Sequence, residues 1–530
     1  MLRRRRLTIP DDPIIPIVRR DMSGGMNTRQ HEQIIGENQA VKLQNILLET
    51  AGSRSLRSGQ TRIDANFPGS SAPGYGLFGF DPDGGTFELL AIQGVNLSGN
   101  GGGATFSNYK TDLTTGLQTT IIKAGQLTQN DIAIVSNGTD NLSAMYQDHS
   151  MHDLGDTNTS PPKTPAIAYY GDRVWALLRN LLYFSDAFPA DYSLAFDRTT
   201  NAFRVPVGAE RALISTRDQG IVVMGSDQIW QFLPSYIPAV TDTPQKVLDI
   251  GCVNGYTAVQ VADDIMFLAP DGVRGLFRTQ LDKLQTGQSF PLSWVLQDEF
   301  NEINWAHIDK ACAVFFENKY IISLPTGTST TNNKCWVYYP ALSAAFYSST
   351  NLSNQSSAAK CWVVYDGWNI GRFTKLRVNG QERLYGIDSV TGKVYRLFYG
   401  STDNTNPIVY EEITRAEDFG QPLVYKKGGE FRIKATGGNG TLTIYANADN
   451  SGYVQLGTME LEVTGVTFPT TFPMLFANTE ETIGSWHLDD AGIQKFKRVK
   501  FKIYCNTSAA LITILENIAT AFVEQYLSEE

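Results

Sequence analysis

Residues that could bind a metal ion are few and scattered along the sequence. The 530-residue chain has only five histidines. His149 and His152, flanked by Asp148 and Asp153, have an H-x-x-H spacing that could suit a divalent metal, but no third ligand follows at a usable distance. A polar loop explains the same four residues, so we predict no metal site.

Three glycine-rich segments are better explained by turns or loop tips than by ligand binding. Residues 81–85 (DPDGG) resemble the first half of a calcium loop, yet the twelfth position of that loop would be Ile92 instead of Glu. Asp and Gly favour tight turns, which predicts a connection between two strands. Residues 437–440 (GGNG) lie between two apolar runs and predict a hairpin turn. The GGG at 101–103 resembles a loop tip.

Enzymatic signatures are also weak. The chain contains no P-loop and no G-x-G-x-x-G segment that opens a helix, and its five cysteines have no zinc or redox spacing. Glycoside hydrolysis needs two carboxylates about 5–9 Å apart. The candidate pairs are Asp263 with Asp264, Glu299 with Glu302, and Asp489 with Asp490. We predict no catalytic residue, no metal and no cofactor.

The N-terminus is strongly basic, with six arginines in its first twenty residues. Such a run is either solvated or an arm that docks on an acidic neighbour, because guanidinium groups pair well with carboxylates. DNA contact is less favoured because no aromatic residue interleaves with the arginines. The candidate docking residues are Arg3, Arg4, Arg5, Arg6, Arg19 and Arg20.

Composition favours strands as the elements that position these residues. Hydrophobic residues make up 42 % and charged residues only 18 %, with 47 Gly, 23 Tyr and 27 Phe. The net charge of −10 argues against a surface that binds nucleic acid everywhere. No apolar run is long enough for a transmembrane helix, so no membrane span is predicted.

A hairpin pattern recurs along most of the chain. Each copy has an apolar run, a turn rich in Gly, Asn or Asp, and a second run with an aromatic residue. Successive copies are 43, 42, 47, 44, 55 and 64 residues apart, close to the period of a β-propeller blade. A large sandwich with irregular hairpins is the alternative. The copies begin at Leu89, Ile132, Val174, Ile221, Ile265, Tyr320 and Leu384.

The predicted fold is therefore all-β and has three parts. Residues 1–40 lack a core pattern and predict an extended basic arm. Residues 41–405 predict a β-propeller of about six to seven blades. The blade pattern ends near residues 403–407, and the alternating strand runs beyond it predict an antiparallel β-sandwich over residues 406–530.

Residues 21–29 (DMSGGMNTR) resemble the opening of a known family, the β-propeller tail proteins of short-tailed double-stranded DNA bacteriophages. These are the tail nozzle, tail hub or stabilisation proteins. Residues 168–175 (AYYGDRVW) and 223–230 (VMGSDQIW) resemble blades of the same family, and the resemblance covers about residues 20–400. The positions that match the opening of the family are Gly24, Gly25, Asn27, Arg29, Asn45, Arg57 and Gly59.

This resemblance implies a structural virion protein. It would be synthesised in the host cytoplasm and form a ring, a homohexamer, in the phage tail. The ring would contact the portal or adaptor and tail fibres or spikes, and genomic DNA would leave through its channel, which the acidic net charge suits. The alternatives are a receptor- or glycan-binding propeller and, less favoured, a propeller glycosidase. Trp175, Trp230, Trp362 and Trp368 would then stack sugars, although core packing explains them equally.

Overall fold

A computed structural model gives the structure of the protein. It describes residues 14–48, 53–63, 72–103, 105–125, 131–187, 195–216, 220–239, 241–347, 360–461 and 481–523. In these ranges the chain is mostly strand, with three short α-helices. None of the helices in the described ranges has the length and hydropathy needed to cross a membrane.

The elements are numbered in chain order. The first strands are β1 Ile14–Arg19, β2 Gly25–Met26, β3 Gln39–Gln44, β4 Ile46–Leu47, β5 Arg54–Leu56, β6 Gln60–Arg62, β7 Gly74–Phe80, β8 Glu88–Gln93, β9 Asn96–Gly99, β10 Ser107–Lys110, β11 Thr120–Ala124, β12 Ile132–Ser136, β13 Ser143–Met145 and β14 Met151–Asp153. The next are β15 Ile167–Tyr170, β16 Arg173–Leu178, β17 Leu181–Phe184, β18 Ala202–Arg204, β19 Glu210–Thr216, β20 Gly220–Gly225, β21 Ile229–Phe232, β22 Gln245–Leu248, β23 Val259–Val261, β24 Asp264–Ala269, β25 Gly272–Gly275, β26 Cys312–Phe316, β27 Lys319–Leu324 and β28 Lys334–Tyr338. The last are β29 Trp362–Asp366, β30 Ile370–Val378, β31 Gln381–Asp388, β32 Val394–Leu397, β33 Tyr410–Thr414, β34 Lys426–Lys427, β35 Glu430–Gly438, β36 Gly440–Ala448, β37 Val454–Leu461, β38 Thr482–His487, β39 Lys495–Phe496, β40 Val499–Cys505 and β41 Leu511–Val523. The α-helices are α1 Leu276–Thr286, α2 Gln297–Asn301 and α3 Pro340–Tyr347.

The chain divides into two compact units, and both are discontinuous in sequence. Unit 1 consists of Met1–Gly59, Pro340–Asp366 and Ser401–Glu530. Unit 2 consists of Gln60–Tyr339 and Gly367–Gly400. These boundaries differ from the predicted divisions at residues 40 and 405, because the chain leaves unit 2 after β28 and returns to it before β30.

Unit 2 is the β-propeller predicted from the repeat. Six self-contained sheets are blades, five of four strands and one, β23-β24-β25, of three. The strands β26-β27-β28 supply a further set between that sheet and the sheet β30-β31-β32-β6. The first strands of neighbouring sets contact one another around a closed ring. β6 comes from the start of unit 2 and pairs with β32, so the two ends of the unit meet in one blade.

Burial explains why the repeat could be read from the sequence. All seven predicted starting positions fall in the second strand of a set, in β8, β12, β16, β20, β24, β27 and β31. A second strand has a neighbouring strand on each side and a neighbouring blade on each face, so its central residues are mostly apolar. In β20 every residue is buried. The aromatic core between the third and fourth blades shows the packing, with Trp175 against Phe184, Phe203 and Phe232.

Unit 1 is built from two sheets. In the first, β41 pairs antiparallel with β1, β5, β34 and β35. The second has the order β29-β3-β33-β40-β36-β37, in which the pair β29–β3 is parallel. The rings of Phe431 on β35 and Phe501 on β40 stack with centroids 3.9 Å apart, so the two sheets face each other there.

The described part of the predicted N-terminal arm belongs to these sheets. β1 pairs with β41 from Ile14 opposite Phe522 to Arg19 opposite Asn517. Pro16 lies within β1, which pairs on one side only, and such a strand tolerates a residue without an N–H group. The proline-rich segment therefore looked like a coreless arm, although from Ile14 onward it completes a sheet.

Candidate functional site

Three of the family-motif residues meet in one buried cluster in unit 1. Asn45 has a left-handed backbone (φ 58°), and its Oδ1 accepts hydrogen bonds from Arg57 Nε and from the backbone N–H of Asp366, each at 2.9 Å. Its Nδ2 donates to the backbone oxygen of Val409 at 2.8 Å. At Gly59 a Cβ would lie 1.9 Å from a backbone oxygen, so only glycine fits.

Arg57 is the centre of this cluster. Its side chain is completely buried, and the guanidinium binds Asp403 with both ends, NH1 to Oδ1 at 2.9 Å and NH2 to Oδ2 at 2.6 Å. NH2 also donates to the backbone oxygen of Asp366 at 2.7 Å. Arg57 and Asp366 lie within three residues of the places where the chain leaves unit 1, and Asp403 lies within three residues of the place where it re-enters that unit. The cluster therefore joins three segments of unit 1 that are distant in sequence, and its charges are neutralised internally.

The remaining motif residues form a second network in unit 1. Gly25 has φ 70°, and a Cβ there would lie 2.5 Å from the backbone nitrogen of Trp362, while a Cβ on Gly24 would lie 2.7 Å from Asn38 Oδ1. Asn27 Oδ1 accepts from the backbone N–H of Arg29 at 3.2 Å, and its Nδ2 donates to Gln39 Oε1 at 3.0 Å. Arg29 is exposed. This opening turn is a structural device.

The predicted docking arginines have different fates. Arg3 to Arg6 lie outside the described residues. Arg19 is buried and forms an ion pair with Glu417, so it cannot dock on a partner. Burial, and then the neighbouring Arg415, lower its pKa to about 9, against the opposing effect of Glu412. Arg20 remains exposed and lies 3.3 Å from Glu516.

The two histidines of the predicted polar loop have separate partners. The His149 ring stacks on Tyr109 with centroids 4.5 Å apart, and its Nε2 lies 3.3 Å from the buried Glu88. His152 instead stacks on Tyr146. Within the described ranges no group of His, Cys, Asp or Glu residues could hold a metal ion.

Three of the six carboxylates in the predicted pairs have partners of their own. Glu299 and Glu302 both contact Lys334 Nζ at 2.8 Å. Asp264 accepts hydrogen bonds from the backbone N–H groups of Phe277 and Arg278, so it caps the start of α1 from a neighbouring strand. Burial raises the pKa of Asp264 above its ordinary value, although these backbone donors oppose the rise. A capping carboxylate is not free to act on a substrate.

The aromatic residues proposed for sugar stacking lie in the interior. Trp175, Trp362 and Trp368 are at most 1 % exposed. Trp230 is partly buried, packs on the same core as Trp175, and donates from Nε1 to Gln228 Oε1 at 3.0 Å. For three of these four residues the interpretation as a sugar platform is therefore wrong, because they are needed for packing between strands.

Unit 2 has an axial cavity that sequence reasoning missed. Its volume is about 340 Å³, and Tyr256, Asn254, Lys310, Glu210 and Asp309 are among the residues that line it. Asn254 Nδ2 donates to the backbone oxygen of Asp309 at 2.9 Å, and Lys310 Nζ lies 2.9 Å from Asp309 Oδ2. Lys310 Nζ also donates to the backbone oxygen of Gly116 at 3.1 Å, so this bond and that of Asn254 hold loops of different blades together.

Tyr256 reaches across the axis of the propeller. It precedes β23, yet its hydroxyl donates to the backbone oxygen of Gln118 at 2.9 Å and accepts from Thr120 on β11 at 3.2 Å. The guanidinium carbon of Arg372, on β30, lies 4.1 Å from the centroid of the Tyr256 ring. Burial raises the pKa of Tyr256 and lowers that of Arg372. The axis of unit 2 is thus bridged by side chains from three blades.

Comparison with known proteins gives distant structural neighbours only. No protein-family model matches the chain, and no curated protein matches its sequence. One similar structure is the extracellular domain of a hybrid two-component system protein from B. thetaiotaomicron, with 10 % identity, 70 % of this chain and 43 % of that chain covered, and a TM-score of 0.39. The present chain thus spans less than half of that protein's length.

Two further similar structures are enzymes. An exo-beta-1,3-galactanase from Phanerochaete chrysosporium has 8 % identity, 88 % and 100 % coverage, and a TM-score of 0.27. An ancestral GH74 enzyme has 12 % identity, 67 % and 50 % coverage, and a TM-score of 0.38. At such identities and scores these neighbours say nothing about the activity or partners of the present chain.

Proposed function

We propose that the chain is a structural, non-enzymatic subunit of the tail of a short-tailed double-stranded DNA bacteriophage, at a nozzle or hub position. The observation that carries the proposal is the role of the residues behind the family resemblance. All seven lie in unit 1, and six of them are buried there in hydrogen-bond networks or at positions where only glycine fits. Proteins that share such residues share the fold that the residues stabilise. In this chain the same residues stabilise unit 1.

In this proposal several copies form a ring, and DNA leaves through the channel between the copies. The axis of unit 2 is too obstructed for that purpose, because Tyr256 and Arg372 bridge it. Blades suit a load-bearing ring because their edges are short and their loops are free for contacts between subunits. A net charge of −10 favours a channel wall that does not retain DNA.

Mass photometry over a range of concentrations tests the proposal. The expected result is a closed species of six copies of the 58.5 kDa chain that persists on dilution. A second measurement tests whether the same sample binds to a glycan array. A strictly monomeric protein that binds one glycan class would refute the ring and favour the receptor-binding alternative.

A further inference from the structure

A groove in unit 2 lies where the first and last blades of the propeller meet. It has a volume of about 300 Å³ and lies between the sheet β7–β10 and the sheet β30-β31-β32-β6. Below it is the apolar core that includes Leu89 and Tyr385. Volumes of this size suit small ligands.

The charge of this groove is unlike that of the chain as a whole. Arg383 and Arg396 both line it, and none of the described residues that line it is acidic. On β31, Arg383 and Tyr385 are two residues apart, so they lie on the same face of the strand. Arg383 lies opposite Leu376 on β30, and Tyr385 lies opposite Arg396 on β32. Directly opposed residues share a face of the sheet, so both guanidinium groups project from the same face.

Both arginines lack an acidic partner in the described part of the chain. The Nε of Arg383 is buried and has no hydrogen-bond partner there. Arg396 has no ion pair with any described residue, and its guanidinium carbon instead lies 3.9 Å from the centroid of the Tyr399 ring. Glu317 and Glu382 line a neighbouring cavity together with both arginines, but neither forms an ion pair with them. Two adjacent cations without an ion pair make an attractive site for an anion, and a guanidinium fork matches the geometry of phosphate oxygens.

The groove is also lined by the aromatic ring of Tyr399 and, on its other side, by a glycine-rich segment. Tyr399 is 49 % exposed, and the Arg396 guanidinium lies over one face of its ring, so a base would stack on the other face. Asn100, Gly102 and Gly103 form the opposite wall. Gly102 has φ 76°, and a Cβ there would lie 2.5 Å from Thr86, so glycine keeps this wall close to the groove. A planar ring beside a phosphate is the chemistry of a nucleotide.

We propose that this groove binds the phosphate of a nucleotide, either free or within single-stranded nucleic acid, with Arg383 and Arg396 on the phosphate and Tyr399 beneath the base. The proposal is independent of ring formation, because every residue involved belongs to unit 2 of one chain. Duplex DNA would bind more weakly, since its stacked bases cannot lie on Tyr399.

The test uses the full-length protein and a fluorescent oligothymidylate, with anisotropy measured at several salt concentrations. Thymidine monophosphate and inorganic phosphate serve as competitors, which separates a nucleotide site from a bare phosphate site. The double variant Arg383→Gln/Arg396→Gln should weaken binding by about tenfold or more. The slope of log K against log salt should fall by about 1.4, the value for two phosphate contacts on a single strand.

The matched control is Lys375→Gln/Arg377→Gln, which removes the same charge from the other face of the same sheet. It should weaken binding by less than about threefold, through the lost long-range attraction alone. Equal losses in the two double variants would overturn the proposal, and so would no binding of any probe at millimolar concentration. If inorganic phosphate competed as strongly as thymidine monophosphate, the groove would be a phosphate site and the proposed binding of a nucleotide would be wrong. Retained melting temperatures verify that both variants are folded.

Discussion

The buried pair Arg57–Asp403 offers the sharpest test of how the motif residues act. We expect Arg57→Met to destabilise unit 1 strongly, because it leaves the Asp403 carboxylate, itself only 7 % exposed, without its bidentate partner. The backbone oxygen of Asp366 also loses its donor. Breaking a buried ion pair by removing one partner costs about 3–5 kcal/mol.

In a unit of this size that cost corresponds to a fall in melting temperature of roughly 10 °C. Calorimetry measures the fall, and hydrogen-exchange mass spectrometry locates it, since peptides of unit 1 should lose protection while peptides of unit 2 keep theirs. The double variant Arg57→Met/Asp403→Leu should recover part of the loss, because no charge then remains buried.

Arg20→Met is the matched control, since it removes the same charge from an arginine whose side chain is 70 % exposed. Exposed pairs contribute about 0–1 kcal/mol, so this variant should be nearly neutral. If Arg57→Met were as mild as Arg20→Met, the cluster would not be the structural device described above, and the motif would need another explanation.

Three further predictions concern charge, thiols and packing. Burial raises the pKa of Glu411, but Lys42 and Lys502 outweigh it and hold that pKa below 4.5. As pH falls, the Glu411 carboxylate of the unfolded chain takes up its proton before that of the native protein, so stability is lost as pH falls through the native pKa. Glu411→Gln should therefore flatten the pH dependence of the melting temperature below pH 4.5. All five cysteines are buried, and burial raises the pKa of Cys252 to about 12. An aromatic disulfide reagent should therefore titrate no thiol until denaturant is added. Fast reaction of the native protein would contradict the packing. Trp175→Ala should cost about 3–5 kcal/mol in a urea titration, and a loss below about 1 kcal/mol would argue against the core between the third and fourth blades.

The propeller could be predicted from the sequence because its signal is local and repeated. Each second strand, such as β20, is a short apolar run next to a turn, and seven copies at similar spacing leave few other folds. The two longest spacings arise where extra chain enters the series. The first contains α1 and α2, and the second contains the excursion of residues 340–366 into unit 1.

Unit 1 could not be delimited in the same way, because its pairings join distant segments. Nothing near Arg57 indicates a partner 346 residues away. The glycine-rich residues 437–440 were predicted as a hairpin turn, but β35 lies in one sheet and β36 in the other, so the segment crosses between sheets. Local turn chemistry predicts that the chain bends, and long-range pairing decides which sheet it enters next.

Electron microscopy of the purified chain tests the central claim most directly. Two-dimensional class averages should show closed rings of six copies around an open channel, with each copy containing one propeller whose own axis is closed. A field of single particles at every concentration would contradict the account, and so would open filaments without a channel.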